Sequence, residues 1–220
     1  MAGQRGGGQR ADAVANRASL LDAATRVLLR DGPQAPMKAI ADEAGVGVGT
    51  LYRNFADRSE LWAAVVHRSY ELVAELVAGL VGDDGDDHVD VLLRYLTRVI
   101  GERDRLALPM HGSPMPVRPD TRELAAQISR SLDTFLQRGV ASGAIRPDAV
   151  ATDVILAGVM LVELPLKGPA GQLGAERMAR ILADGFRRQP ASLVLPEGLS
   201  RPELDQAMAE IAGGGPVPPG

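Results

Sequence analysis

Between Ile40 and Phe55 the chain reads IADEAGVGVGTLYRNF, and the glycine near its centre constrains the fold more than any other residue. Met37, Ile40, Ala41 and Ala44 recur at the three- and four-residue spacing of a single helix face. Gly45 then halts that helix, as glycine does where the backbone has to enter the left-handed region. Val46 reopens an apolar face that Thr50, Leu51 and Phe55 continue. Two short helices joined by so tight a turn form a helix-turn-helix unit, whose second helix enters the major groove of DNA.

The rest of the chain is written for helix. It has 220 residues, enough for one or two domains with real cores, and only 3% of them are aromatic. Few stretches alternate apolar and polar residues with the β-branched content of a strand. Ala, Leu, Arg and Glu dominate, and all four favour helix. The expected class is therefore all-α. There is no cysteine, which removes disulfides and thiolate chemistry and fits a cytoplasmic location. The first residues are Gly, Gln and Arg, without the apolar centre of a signal peptide. The longest apolar run, Val154 to Val162, is nine residues, too short to span a bilayer, so no membrane partner is expected.

Net charge is −4, which by itself does not mark a nucleic-acid binder. Its distribution says more: residues 1–82 carry nine Lys/Arg and nine Asp/Glu, whereas residues 83–220 carry fifteen and nineteen. A neutral head with a basic arm can still bind phosphates if its cations face one way.

Four segments follow from the pattern. Residues 1–13, rich in Gly, Gln and Arg, are expected to be a disordered basic arm. Residues 14–57 hold three helices, the first from about Val14 to Arg30 and ended by Asp31-Gly32-Pro33, the second starting near Pro36, the third from about Val48 to Phe55. Residues 58–190 form a helical body. Its first helix, 58–81, is capped by Asp57 with Glu60 and is apolar over an arc wide enough to pack on more than one side. The acidic stretch Asp83 to Asp87 lacks the ligand spacing of a calcium loop and reads as a linker. Helical patterns then cover His88 to Arg103, Asp120 to Ser142, Asp148 to Glu163 and Ala175 to Arg187, with Leu106 to Pro119 as a loop. Residues 191–220 are an extension with a short helix from Arg201 to Ile211.

Several side chains in the head suit DNA. Gly47 and Gly49 let the third helix approach a surface closely, and its amino end favours phosphate. Thr50 and Tyr52 offer hydroxyls to phosphates, Arg53 can reach a phosphate or pair with guanine, and Asn54 can read adenine. Arg58 and Lys38 are further anchors. A Walker loop at Gly45 to Gly49 is excluded by the missing lysine and by the preceding helix.

The stretch MKAIADEAGVGVGTLYRNFADRSELWAAVV resembles the N-terminal domain of TetR-family (tetracycline-repressor-like) transcriptional regulators, and the resemblance covers residues 16–66. Its specific parts are Ile40-Ala41, Ala44-Gly45-Val46, Gly49-Thr50-Leu51-Tyr52, Phe55 and Leu61. The resemblance implies an all-helical homodimer with an N-terminal helix-turn-helix domain and a C-terminal ligand-binding and dimerisation bundle. It places Thr50, Tyr52 and Arg58 on phosphates, and Lys38, Val48, Gly49 and Arg53 at bases or the groove wall. Arg17 and the arm before it would add backbone or minor-groove contacts. Met37 stands where many members have Thr or Ser, and Gly47-Val48-Gly49 offers little polar chemistry, so shape readout gains weight.

The body is less specific. Ligand cavities are mostly apolar with a few polar groups, which nominates Tyr95, Arg98, Leu106, Met110, His111, Met115, Leu132, Phe135 and Met160. By the same resemblance the helices from Asp148 and Ala175 would form the dimer surface, through Ala157, Gly158, Leu161 and Val162. The expected partners are a double-stranded DNA operator, a second copy of the chain and an unidentified small molecule. No cofactor or metal is expected. Three scattered histidines and no nucleophile motif make an enzyme the weakest class. The alternative function is a helical small-molecule or partner-binding module that does not bind DNA.

Overall fold

A computed structural model gives the fold for residues 5–32, 34–81, 87–106, 118–165, 168–189 and 193–213, with backbone alone at 5–16 and 208–213. The described residues are helical apart from turns, extended segments and one isolated antiparallel bridge between Ile145 and Arg187. Two compact units divide between Arg68 and Ser69.

In the first unit, α1 (Arg5–Asp31), α2 (Met37–Glu43), α3 (Val48–Asn54) and the start of α4 (Arg58–Val81) bury one core. Leu20, Ala24 and Val27 of α1, Ile40 and Ala41 of α2, Leu51 of α3 and Leu61 of α4 are almost wholly enclosed. These are the apolar positions of each helical repeat, so burial follows the sequence period. Gly45, at φ +68°, closes α2 with a Schellman pair: Val46 N–H donates to the Ala41 carbonyl at 3.0 Å and Gly45 N–H to Asp42 at 3.1 Å. At the start of α4, Asp57 accepts from Glu60 N–H at 2.8 Å, while the Glu60 carboxylate reaches back to Ala56 N–H at 2.7 Å. Arg68 then fastens α4 to α1, donating to the Ala18 carbonyl at 2.8 Å and pairing with Asp22 at 3.1 Å.

Two sequence expectations change here. Helix α1 begins at Arg5, so the expected arm is helical from that residue on. Extending an existing helix avoids the nucleation cost, which lets propagation run into a poor segment. The opening turns of α4 also belong to the first unit, beyond the boundary expected at 57/58.

The second unit holds the remainder of α4 with α5 (His88–Gly101), α6 (Arg103–Leu106), α7 (Pro119–Ala141), α8 (Ala151–Val162), α9 (Gly168–Gly185) and α10 (Arg201–Gly213). Helix α5 is its centre, packed on α8 and α9, with Leu92, Leu96 and Ile100 sealed from solvent. Asp87 caps α5 by accepting from Val89 N–H and also binds the Arg187 guanidinium at 3.0 Å, tying the start of α5 to the chain after α9. Helix α9 starts at Gly168, earlier than the sequence pattern indicates. Its first turns, GPAGQLG, carry three glycines that hide the helical signal, while Pro169 suits an amino-terminal turn. The linker residues Asp83 to Asp86 lie outside the described residues.

Candidate nucleic-acid interface and ligand cavity

Helix α3 turns Leu51 inward, with Phe55 buried just beyond its end, and leaves Gly47, Gly49, Tyr52 and Arg53 on the outside. Tyr52 is 49% exposed, a large apolar ring without cover. A Cβ added at Gly47 or Gly49 would meet no heavy atom within 4 Å, and neither glycine has a positive φ. Nothing among the described residues therefore requires glycine at either position. Val48 and Thr50 are half-buried.

The polar residues of α3 form a local net. Arg53 donates to the Thr50 hydroxyl at 2.9 Å, and Asn54 donates through Nδ2 to the Thr50 carbonyl at 2.9 Å. Arg17 donates to the Asn54 carbonyl at 2.9 Å, and its guanidinium lies 4.3 Å from the centre of the Phe55 ring, a cation–π contact. Arg17 thus pins the end of α3 to α1. Lys38 pairs with Asp42 at 2.7 Å, both more than half exposed, so the pair is worth about 0–1 kcal/mol. Arg58 is half-buried. Nearby, Arg26 and Arg30 hold the Glu43 carboxyl below the usual range through hydrogen bonds, Arg26 contributing most.

In the second unit, α4 to α8 and α10 wall a cavity of about 110 Å³. Tyr95 of α5, Leu106 of α6, Gly158 and Val162 of α8, and Arg201 and Leu204 of α10 face it. Burial pushes the Tyr95 phenol up to about 12, so it stays neutral. Of the ligand candidates among the described residues, Tyr95 and Leu106 reach the cavity and the others do not. Leu132 and Phe135 fill the core on α7, where the Phe135 ring sits 5.5 Å from the ring of His88. Arg98 is exposed and extends across Gly79, and Met160 is 56% exposed on the outside of α8. Met110, His111 and Met115 lie outside the described residues.

The expected dimer residues are also corrected. Ala157, Gly158 and Leu161 are buried in their own unit, and Val162 is half-buried at the cavity, because this face of α8 packs on α5. A sequence of small and apolar residues does not distinguish a face packed on its own chain from one packed on a twin. The cavity residues on α10 were missed altogether. Their signal was present in Ser200 and Glu203: the Glu203 carboxylate accepts from Ser200 N–H at 2.7 Å, and the spacing is that of a capping box.

Residues 20–65 match the family model described as bacterial regulatory proteins, tetR family. A TetR transcriptional regulator from Streptomyces coelicolor is 30% identical; the match covers 79% of this chain and 99% of that one, with a TM-score of 0.57. The chain belongs to the TetR family. A second TetR regulator, from Mycobacterium vanbaalenii, is 25% identical over 81% of this chain and 99% of its own, with a TM-score of 0.58. The transcriptional repressor KstR of Rhodococcus jostii is 24% identical over 149 residues, 67% of this chain and 70% of that protein. This TetR protein is accordingly a DNA-binding transcriptional regulator with a helix-turn-helix head and a helical C-terminal unit.

Proposed function

We propose that this regulator is a homodimeric repressor that leaves its operator when a small molecule occupies the cavity of the second unit. The observation that carries the DNA half is the outer face of α3, where two glycines with open space above them adjoin an exposed tyrosine. Gly47 and Gly49 bring the backbone close to phosphates, and Thr50 and Tyr52 donate hydroxyls. Arg53, Asn54 and Lys38 exchange their local partners for DNA, and Val48 meets the groove wall. Arg58 anchors the next phosphate. Two such helices read half-sites about 34–36 Å apart on a partly palindromic duplex. Repression is favoured over activation by the likeness to KstR, which is a repressor.

A second copy of the chain is the partner that suits the outside of α8 and α9. Met160, Leu173 and Ile181 are large, apolar and each more than half exposed. The ligand acts by binding two states of the dimer unequally, typically shifting DNA affinity by about 1–3 kcal/mol.

Selection of an operator from random duplexes, followed by gel shift, tests the proposal. Tyr52→Ala and Arg53→Ala are expected to fold normally and to weaken operator binding at least about tenfold, or about 1.4 kcal/mol. The unmodified protein should also lose affinity steeply with salt, since phosphate contacts release counterions. Retention of full affinity by both variants would remove α3 from the interface.

A further inference from the structure

We propose that the C-terminal helix α10 is a wall of the ligand cavity, and that it restricts the ligand to a compact, uncharged and largely apolar molecule. The inference rests on the cavity being the ligand site and adds what the site admits and what bounds it.

The extension before α10 is built onto the bundle. Arg146 donates to the Leu193 carbonyl, Asp148 accepts from Leu195 N–H at 3.2 Å, and Thr152, itself buried, donates its hydroxyl to the Leu199 carbonyl at 2.6 Å. Gly198 lies so close to α8 that an added Cβ would stand 2.5 Å from Val150 Cγ2. These contacts deliver Leu204, 3% exposed, and Arg201 to the cavity. Without α10 the cavity loses that side.

The cavity stays partly open to solvent, so α10 bounds it on one side rather than sealing it. With α10 docked the space is about 110 Å³. An engineered apolar cavity of about 150 Å³ takes benzene, whereas drug-sized ligands need about 300 Å³ or more. Chemistry follows from the polar groups at the wall. Ser69 already donates to the Arg105 carbonyl at 2.9 Å, and the Arg201 charge is met by Asp205 at 2.7 Å. The Tyr95 phenol stays neutral. Among the described residues of this lining Arg201 is the single charged side chain, and Asp205 and Ser129 already engage it, so a charged ligand would have to displace them and lose its hydration.

The test compares the full chain, a chain ending at Ser200, and Thr152→Val, which releases the Leu199 carbonyl without altering the lining. Two probes are used: benzene, followed by thermal shift, and anilinonaphthalene sulfonate, larger and anionic, followed by fluorescence. The full chain should be stabilised by benzene and bind the sulfonate weakly. The shortened chain should bind benzene at least tenfold more weakly and the sulfonate at least tenfold more tightly, with Thr152→Val moving both in the same directions. Equal probe affinities in the full chain and in Thr152→Val overturn the proposal, even if the shortened chain fails to fold. Absence of benzene binding by the full chain overturns it as well. Operator binding measured in parallel separates this result from the DNA-binding proposal: benzene binding without operator binding spares the wall and sinks the repressor, and the converse spares the repressor alone.

Discussion

Gly49 in the first unit and Gly139 in the second are both helical glycines, yet their surroundings are opposite. A methyl group added at Gly49 would touch nothing within 4 Å, whereas one added at Gly139 would stand 2.5 Å from Ile145 Cδ1. Glycine inside a helix costs about 0.5–1 kcal/mol relative to alanine. At Gly139 close packing of Ile145, wholly buried after the turn at Gly143, accounts for that cost. At Gly49 no described part of the protein does. Open space over Gly49 leaves room for an outside partner, as it does over Gly101 and Gly185, whereas the clamp at Gly139 leaves none. Gly158 of α8 lies between these cases, its added Cβ falling 3.8 Å from Val99 Cγ1, an ordinary packing contact.

The largest effects should come from charging the two faces of α8 and α9. Leu161→Glu places a carboxylate at a site 1% exposed and should destabilise the protein by about 4 kcal/mol or more, seen as loss of the cooperative thermal transition. Ile181→Glu, at a site 59% exposed, should leave the protomer folded and yield monomers by light scattering. A folded Leu161→Glu protein, or an unaltered dimer in Ile181→Glu, would reverse the assignment of inside and outside. Next in size is Gly139→Ala, expected to lower stability by about 1–3 kcal/mol through overpacking against Ile145. A denaturant midpoint equal to that of the unmodified protein would show that Ile145 relocates freely and would weaken the contrast with Gly49.

The sequence made the first unit legible because every level pointed one way. The period of Ile40, Ala41, Leu51 and Phe55, the stop at Gly45 and the cap at Asp57 all describe local structure, and local structure is what a sequence encodes most directly. The helices of the second unit were legible for the same reason, apart from the glycine-rich start of α9. The cavity was not. Tyr95 and Leu106 face it while Leu132 and Phe135 do not, and all four have the same apolar helical pattern. Which of them meets empty space depends on contacts between segments far apart in sequence, such as α10 with α7 and the extension before it with α8. The contact of Arg17 with Phe55 was hidden on similar grounds, because only the fold brings that ring beneath the guanidinium.

A smaller effect of opposite sign is expected at Gly49. Gly49→Ala should stabilise the protein by up to about 1 kcal/mol, since alanine is the better helix former and the space is open. The same methyl group should weaken operator binding, because it holds the backbone away from the groove. Stability and affinity moving in opposite directions distinguishes this outcome from general damage. A Gly49→Ala protein that is more stable and binds DNA unchanged would mean that the open space over Gly49 faces solvent in the complex.

The smallest effect concerns how the extension is held. Arg146 and, secondarily, Leu195 N–H keep the Asp148 carboxyl well below the usual carboxylate range. A carboxyl depressed in the folded state contributes stability that is present above its unfolded value, about 3.9, and lost as pH falls through the folded one. Between pH 5 and 8 the Asp148 contact should therefore be unchanged, and protease protection of the segment around Leu195 should be flat. Protection should decline only below about pH 4, in the range where carboxylates take up protons. In Asp148→Asn the ionisable group is gone, so that decline should vanish while Gly198 still packs on Val150. A decline beginning near neutrality, in either protein, would mean that another group holds the extension, since Asp148 is fully ionised there.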